Sequence, residues 1–160
     1  WKLGHSLIKA RMKETGALLA GELSGHIFFK ERWYGFDDGL YACARLLEIL
    51  AADPRSSAEV FADLPEGVST PELTMALQED EGAQLVSRLA ETGDLQGAKI
   101  INIDGVRAEF EYGWGLVRAS NTMPALTFRF EAEDMNGLKR VQEIFREQLL
   151  AIDPELQLPF

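Results

Sequence analysis

The spacing of hydrophobic and polar positions changes several times along the chain, and each change marks an element. From His5 to Thr15 the run HSLIKARMKET predicts a helix closed by Gly16, a residue suited to the left-handed backbone that ends helices. ALLAGE then reads as a short buried strand, GELSGH as a turn with glycines near both ends, and HIFF as a second short strand. KERWYGFDDG is a polar and aromatic connection. From Asp38 onward Leu40, Cys43, Ala44, Leu47, Leu50 and Ala51 recur at helical spacing, which predicts an amphipathic helix with Asp37 and Asp38 as its N-terminal cap. On that apolar face Cys43 reads as a small buried hydrophobe.

The segment AADPRSSAEVFADLPEGVSTP interrupts this periodicity with Pro, Ser, Asp and Ala, and places a domain boundary near Leu64 to Pro71. Two parts result, residues 1–65 and 66–160, and the polar, proline-containing joint predicts that they move relative to each other. Beyond the joint ELTMAL reads as a strand, DEGAQLVSRLAETG as a helix and AKIINI as a strand. VRAEFEY alternates, with Val106, Ala108, Phe110 and Tyr112 on one face. GWGLVRAS is a further strand, LTFRFEA turns Leu126, Phe128 and Phe130 inward, and Leu138, Val141, Phe145, Leu149 and Ile152 define a last helix. The order β-α-β-β-β-β-α with short connections predicts an α+β fold: an antiparallel sheet with two helices on one face.

Composition narrows the partners. The 160 residues leave room for one large domain or two small ones. A formal net charge of -10 repels phosphate backbones and anionic lipid over most of the surface, which argues against nucleic acid and membranes. An anionic small molecule still fits if the few basic groups converge locally. A single cysteine makes no internal disulfide, and no apolar run approaches the ~20 residues of a membrane span, so a cytoplasmic location is expected. The chain opens on Trp1 without an initiator methionine or a leader pattern, which reads as a fragment of something longer.

Two loops concentrate polar chemistry. RASNTMP ends a strand, and Pro124 removes a donor and restricts Met123. Arg118 offers a planar fork for two phosphate oxygens, and Ser120, Asn121 and Thr122 add donors that can converge on one anion. The plainer alternative is a strand connection whose polar side chains cap their own backbone while Arg118 pairs with a surface carboxylate. In GELSGH, Glu22, Ser24 and His26 alternate, so an extended segment would put all three on one side. A carboxylate and a hydroxyl there suit vicinal sugar hydroxyls, and an imidazole suits proton transfer; a structural hydrogen-bond cluster is the competing reading. His5 with Lys9 adds positive charge, although alone His5 is an ordinary helix N-terminal residue. Trp33, Tyr34 and Phe36 read as a packed connection. No third ligand at zinc-like spacing accompanies Glu22, His26 and distant His5, so no metal site is expected. ELSGH also lacks the G-x-S-x-G elbow of serine hydrolases.

The two loops together, within KETGALLAGELSGHIFFKERWYGFDDGLYACARLLEIL and GWGLVRASNTMP, resemble the α-D-phosphohexomutases, and among them the C-terminal part of the bacterial phosphomannomutase/phosphoglucomutase branch. A glucosamine-type mutase would show SGTEP in the second loop, where this chain carries Asn121 and Met123. The resemblance implies four domains, of which the chain holds the end of the third, an α/β domain, and all of the fourth, a TATA-box-binding-protein-like module. It implies that Glu22 and Ser24 bind the O3 and O4 hydroxyls, that His5 is a further ligand contact, and that His26 transfers a proton. It implies that Arg118, Ser120, Asn121 and Thr122 hold the phosphate that is not transferred. The expected reaction interconverts hexose 1-phosphate and hexose 6-phosphate, of mannose or glucose, through a bisphosphorylated intermediate. The phosphoserine and the Mg2+ ligands implied for such an enzyme lie in its earlier domains and not in these residues, so this part alone is expected to be inactive. The competing functions are a noncatalytic anion-binding or regulatory α+β module and a protein-interaction domain.

Overall fold

Gly16 ends the first helix as its position predicts, with φ 71° and ψ 14°. In the computed structural model, which describes residues 1–120 and 123–160, the chain divides into two compact units, Trp1–Pro65 and Glu66–Phe160.

The first unit opens with α1 (His5–Thr15), whose Ile8 and Met12 pack on Phe28 from a two-stranded ribbon. That ribbon is β1 (Leu19–Gly21) paired antiparallel with β2 (Ile27–Phe29), in the register Leu19↔Phe29 and Gly21↔Ile27. Then comes α2 (Gly39–Ala52), whose N-cap Asp38 accepts a hydrogen bond from the Tyr41 amide at 3.0 Å. The expected apolar face of α2 is present but uncovered: Leu40 is 88% exposed, Leu47, Leu46 and Ile49 are exposed too, and no residue of the helix is buried. The reading of Cys43 as buried is corrected with it, since the thiol is exposed. Helical spacing identifies an apolar stripe but does not supply its partner, and a three-residue ribbon is too small to be one.

One helix escaped the sequence pattern. The short α3 (Ser57–Phe61) falls in the Pro- and Ser-rich segment and carries a capping box, in which Ser56 Oγ accepts from the Glu59 amide and the Glu59 carboxylate accepts from the Ser56 amide at 2.8 Å. The S-x-x-E spacing was visible, but composition outweighed it.

The second unit is α+β, with strands β3 (Val68–Ser69), β4 (Leu73–Ala76), β5 (Lys99–Ile101), β6 (Val106–Phe110), β7 (Gly113–Ala119) and β8 (Ala125–Ala132), and helices α4 (Glu81–Thr92) and α5 (Met135–Ile152). Among the described residues the antiparallel sheet runs β3-β8-β7-β6-β5, and β4 shares the β8 edge with β3. Val68↔Ala132 and Ala76↔Ala125 mark the two ends of that shared edge. Between them the Thr70 amide donates to Phe130 O at 2.9 Å while Thr70 Oγ1 accepts from the Phe130 amide at 3.2 Å, so one residue closes the gap in the ladder. β3 lies inside the segment read as a boundary, because two paired residues leave no periodicity to detect.

The alternating residues face the helices. Val106, Ala108, Val117, Leu126, Phe128 and Phe130 are fully buried against Leu89 of α4 and Val141, Phe145 and Leu149 of α5, each large side chain contributing about 1.5–3 kcal/mol. Gly115 of β7 sits where any Cβ would meet the Phe145 ring at 2.4 Å and the Phe130 ring at 2.9 Å. On the opposite face Arg107, Glu109 and Lys99 form a cross-strand cluster, with Arg107 stacked on Trp114 at 3.9 Å. No helix among the described residues is long and apolar enough to cross a membrane.

Two outcomes are expected. Gly115→Ala destabilises the sheet unit by about 1–3 kcal/mol, the usual range for overpacking, read as a lower midpoint in urea. Lys99 first, and then Arg107, hold the Glu109 carboxyl below its ordinary range by hydrogen bonding. A lowered folded pKa contributes stability above the unfolded value, near about 4.3, and loses it as pH falls through the folded value. Glu109→Gln therefore flattens the acid limb of the stability profile between about pH 5 and 3 while lowering stability at neutral pH.

Candidate functional site

One candidate region is the turn between β1 and β2. The Gly25 amide donates to Glu22 O at 3.0 Å and the Glu22 amide to His26 O at 2.9 Å, with Gly25 at φ 89°. This is a three-residue hairpin loop whose last residue needs positive φ, a position that favours glycine. The chain reverses at GELSGH, as its reading as a turn between two strands expects, so Glu22, Ser24 and His26 do not alternate along one extended segment. Glu22 and His26 nevertheless share a side, because the ribbon register continues to place them directly opposite each other. Ser24 sits at the exposed tip.

Further contacts tie this hairpin to its surroundings. Glu22 Oε1 accepts the Gly4 amide at 2.6 Å, which brings the N-terminal end of α1, and with it His5, to the hairpin. Ser6 Oγ lies 3.4 Å from His5 Nδ1. His26 Nδ1 lies 2.8 Å from Asp37 Oδ2. Asp37 was grouped with Asp38 as a helix cap, but Asp38 alone does that work, while its second oxygen accepts from Trp33 Nε1 at 3.1 Å. Trp33 in turn stacks on Tyr41 with ring centroids 4.4 Å apart, and Tyr34 on Phe36 at 5.4 Å. The rings of the connection stack on one another, yet Trp33, Tyr34 and Phe36 are all exposed, so the reading of a packed connection holds only for their mutual contacts.

A second candidate region lies within the sheet unit. Arg118 lies near the end of β7 opposite Thr127 of β8, on the face away from the helices. Its side chain is 16% exposed, with Glu72 Oε2 at 3.5 Å and Asp104 Oδ2 at 3.9 Å. These are ion pairs at long range and not tight bidentate bonds. The Ser120 amide donates to Ala125 O at 2.9 Å, and Ser120 Oγ accepts from the Met123 amide at 3.3 Å, which braces the loop base. Asn121 and Thr122 lie outside the described residues. Gly82 at the start of α4 packs under this loop, since a Cβ there would stand 3.5 Å from Ala125 O and 3.6 Å from Ala119 Cβ. On β8 the buried Thr127 hydroxyl, opposite Arg118, and Arg129 Nε have no hydrogen-bond partner among the described residues. Among the described residues no group of three or more His, Cys, Asp or Glu side chains could hold a metal ion.

Two family models divide the chain near the same joint. The model for the phosphoglucomutase/phosphomannomutase α/β/α domain III matches residues 1–68, and that for the C-terminal domain of the same proteins matches residues 68–148. The chain belongs to the phosphoglucomutase/phosphomannomutase family. It is 54% identical over 160 residues to a phosphomannomutase/phosphoglucomutase of Pseudomonas putida, covering 100% of this chain and 35% of the relative. It is 55% identical to a phosphoglucomutase of Neisseria meningitidis, covering 99% of this chain and 34% of the relative. A crystal structure of a phosphoglucomutase/phosphomannomutase family protein from Burkholderia thailandensis superposes with a TM-score of 0.92 at 51% identity, over 100% of this chain and 34% of that one. The chain thus spans about a third of the length of the relatives it matches.

The contact between Glu22 and Gly4 predicts a measurable link. In Glu22→Ala the Gly4 amide loses a charged acceptor, so its hydrogen exchange quickens about tenfold and the His5 resonances shift, while amides of the β6–β8 ladder do not change.

Proposed function

We propose that this chain is the substrate-recognition part of a phosphohexomutase that interconverts the 1-phosphate and 6-phosphate of mannose or glucose. The observation that carries the reading is the opposition of Glu22 and His26 across one hairpin, in a chain of this family. Glu22 spends one oxygen on Gly4, leaving Oε2 to accept from a sugar hydroxyl, and Ser24 at the tip can donate and accept. His26 stands on the same side, placed to move a proton at the reacting end. His5 adds a donor beside Glu22. Arg118, with Ser120, Asn121 and Thr122, supplies the anion clamp for the phosphate that stays.

Bond geometry favours exchange at Arg118. A phosphate dianion making two short N–H to oxygen bonds replaces carboxylates that stand at 3.5 and 3.9 Å, and charge-assisted bidentate bonds are about twice as strong as neutral ones. One fixed clamp can anchor either end of a hexose phosphate and present the other, so a single site serves both half-reactions.

The Mg2+ implied for the family does not fit these residues, which offer no metal-ligating cluster among those described. Its ligands and the phosphoryl donor belong to the remaining two thirds of such proteins. The uncovered apolar face of α2 fits the same view, because an α/β/α domain needs more sheet than one short ribbon to bury that stripe.

The reading is tested by NMR titration of the chain with glucose 1-phosphate, mannose 1-phosphate and inorganic phosphate. All three are expected to perturb residues 118–122, and the two sugars alone to perturb 22–26 as well. Arg118→Ala is expected to weaken all three by about 10- to 100-fold, the scale of a lost charged contact, and Glu22→Ala to weaken only the sugars. Binding that ignores the sugar and is indifferent to Glu22→Ala would favour a noncatalytic anion-binding module instead.

A further inference from the structure

Asp37 takes no part in the function described above, and three observations converge on it. Its Oδ2 lies 2.8 Å from Nδ1 of His26. Its backbone forms an antiparallel bridge with Phe28, two residues beyond His26, so the two side chains occupy diagonal positions on one face of β2. Phe28 itself is fully buried against Ile8 and Met12, which anchors that stretch of strand in the small core of its unit. Both side chains are short, so the contact inherits its geometry from backbone pairing and costs little rotamer entropy. The neighbouring Asp38 is already committed to Tyr41 and Trp33, and cannot substitute.

We infer that Asp37 is a positioning residue for His26: it accepts the Nδ1–H and thereby holds the imidazole in the tautomer whose bare Nε2 is the proton acceptor toward the sugar. A neutral imidazole carries one N–H and one lone pair, and an ionised carboxylate can only accept. The 2.8 Å contact therefore assigns the proton to Nδ1. When Nε2 takes a proton from a sugar hydroxyl, the ring becomes an imidazolium with both nitrogens protonated, and the adjacent carboxylate stabilises that charge without itself taking the proton. Returning the proton from Nε2 to the opposite sugar oxygen in the second half-reaction restores the starting tautomer, so the pair is ready for the next turnover. The catalytic consequence rests on the mutase reading; the tautomer does not.

The experiment separates the two. In the chain labelled with ¹⁵N-histidine, with His5→Gln used to assign the resonances, the His26 ring is read at alkaline pH where it is neutral. The expected pattern is a protonated Nδ1 and an unprotonated Nε2, shifting toward the Nε2–H form in Asp37→Ala and returning in Asp37→Glu. Unchanged Phe28 ring signals report that the variants keep their fold. A wild-type ring in the Nε2–H form, or a ring indifferent to Asp37→Ala, overturns the inference. In the full-length mutase Asp37→Ala is expected to lower kcat about 10- to 100-fold with KM within about twofold, as loss of a group that orients a general base should. A full kcat in an otherwise active enzyme overturns the positioning role. A wild-type full-length protein with no hexose phosphate mutase activity overturns the mutase reading and leaves the tautomer result standing.

Discussion

Strand register is the constraint on which the rest of this structure depends. Between β7 and β8 seven residue pairs run from Gly113↔Ala132 to Ala119↔Leu126. That alignment sets Val117 against Phe128 inside the core and Arg118 against Thr127 on the other face. A slip of one residue would drive a guanidinium under the helices and bring Phe128 to the open face, so the core itself enforces the alignment. Gly115 and Gly113 are part of the same device. Each lies where a Cβ would collide with Phe145 or with the β8 backbone, so the sheet and α5 close up only over glycine. The anion-clamp candidate is thereby a by-product of core packing, placed by hydrophobic residues that never touch a ligand.

The hairpin uses the same logic on a smaller scale. Gly21↔Ile27 leads to Glu22 opposite His26, and the Phe28 bridge to Asp37 brings a second carboxylate to the imidazole. Backbone pairing does the positioning in each case, which suits a site that must hold short side chains within a few tenths of an ångström. Around Arg118 the arrangement is looser. Two carboxylates stand beside it at distances too long for strong hydrogen bonds. One unit thus fixes its polar groups by short contacts and the other holds its guanidinium by longer ones.

Much of this was legible in the sequence where a pattern spans enough residues to average over exceptions. The alternation in VRAEFEY and LTFRFEA and the steps of three and four in α5 predicted the buried faces, because burial forces those periods on strands and helices. Short features escaped. β3 has two residues and α3 five, and their stability comes from single contacts, the Thr70 hydroxyl and the Ser56–Glu59 box. Cys43 was misjudged because periodicity reports what a helix could bury and not whether a partner is there.

The sequence by itself determined the longer elements, the α+β character of the second unit, the glycines of the turns and the residue types gathered in GELSGH and RASNTMP. Those are local properties, written in propensity and period. Only the tertiary structure decided that Glu22 stands directly opposite His26 across the turn, that its carboxylate holds the Gly4 amide, that Asp37 serves the imidazole and Asp38 the helix, and that Glu72 and Asp104 stand beside Arg118. These join residues between 3 and 46 positions apart. Such contacts depend on chain reversal and ladder alignment, which no window of sequence contains.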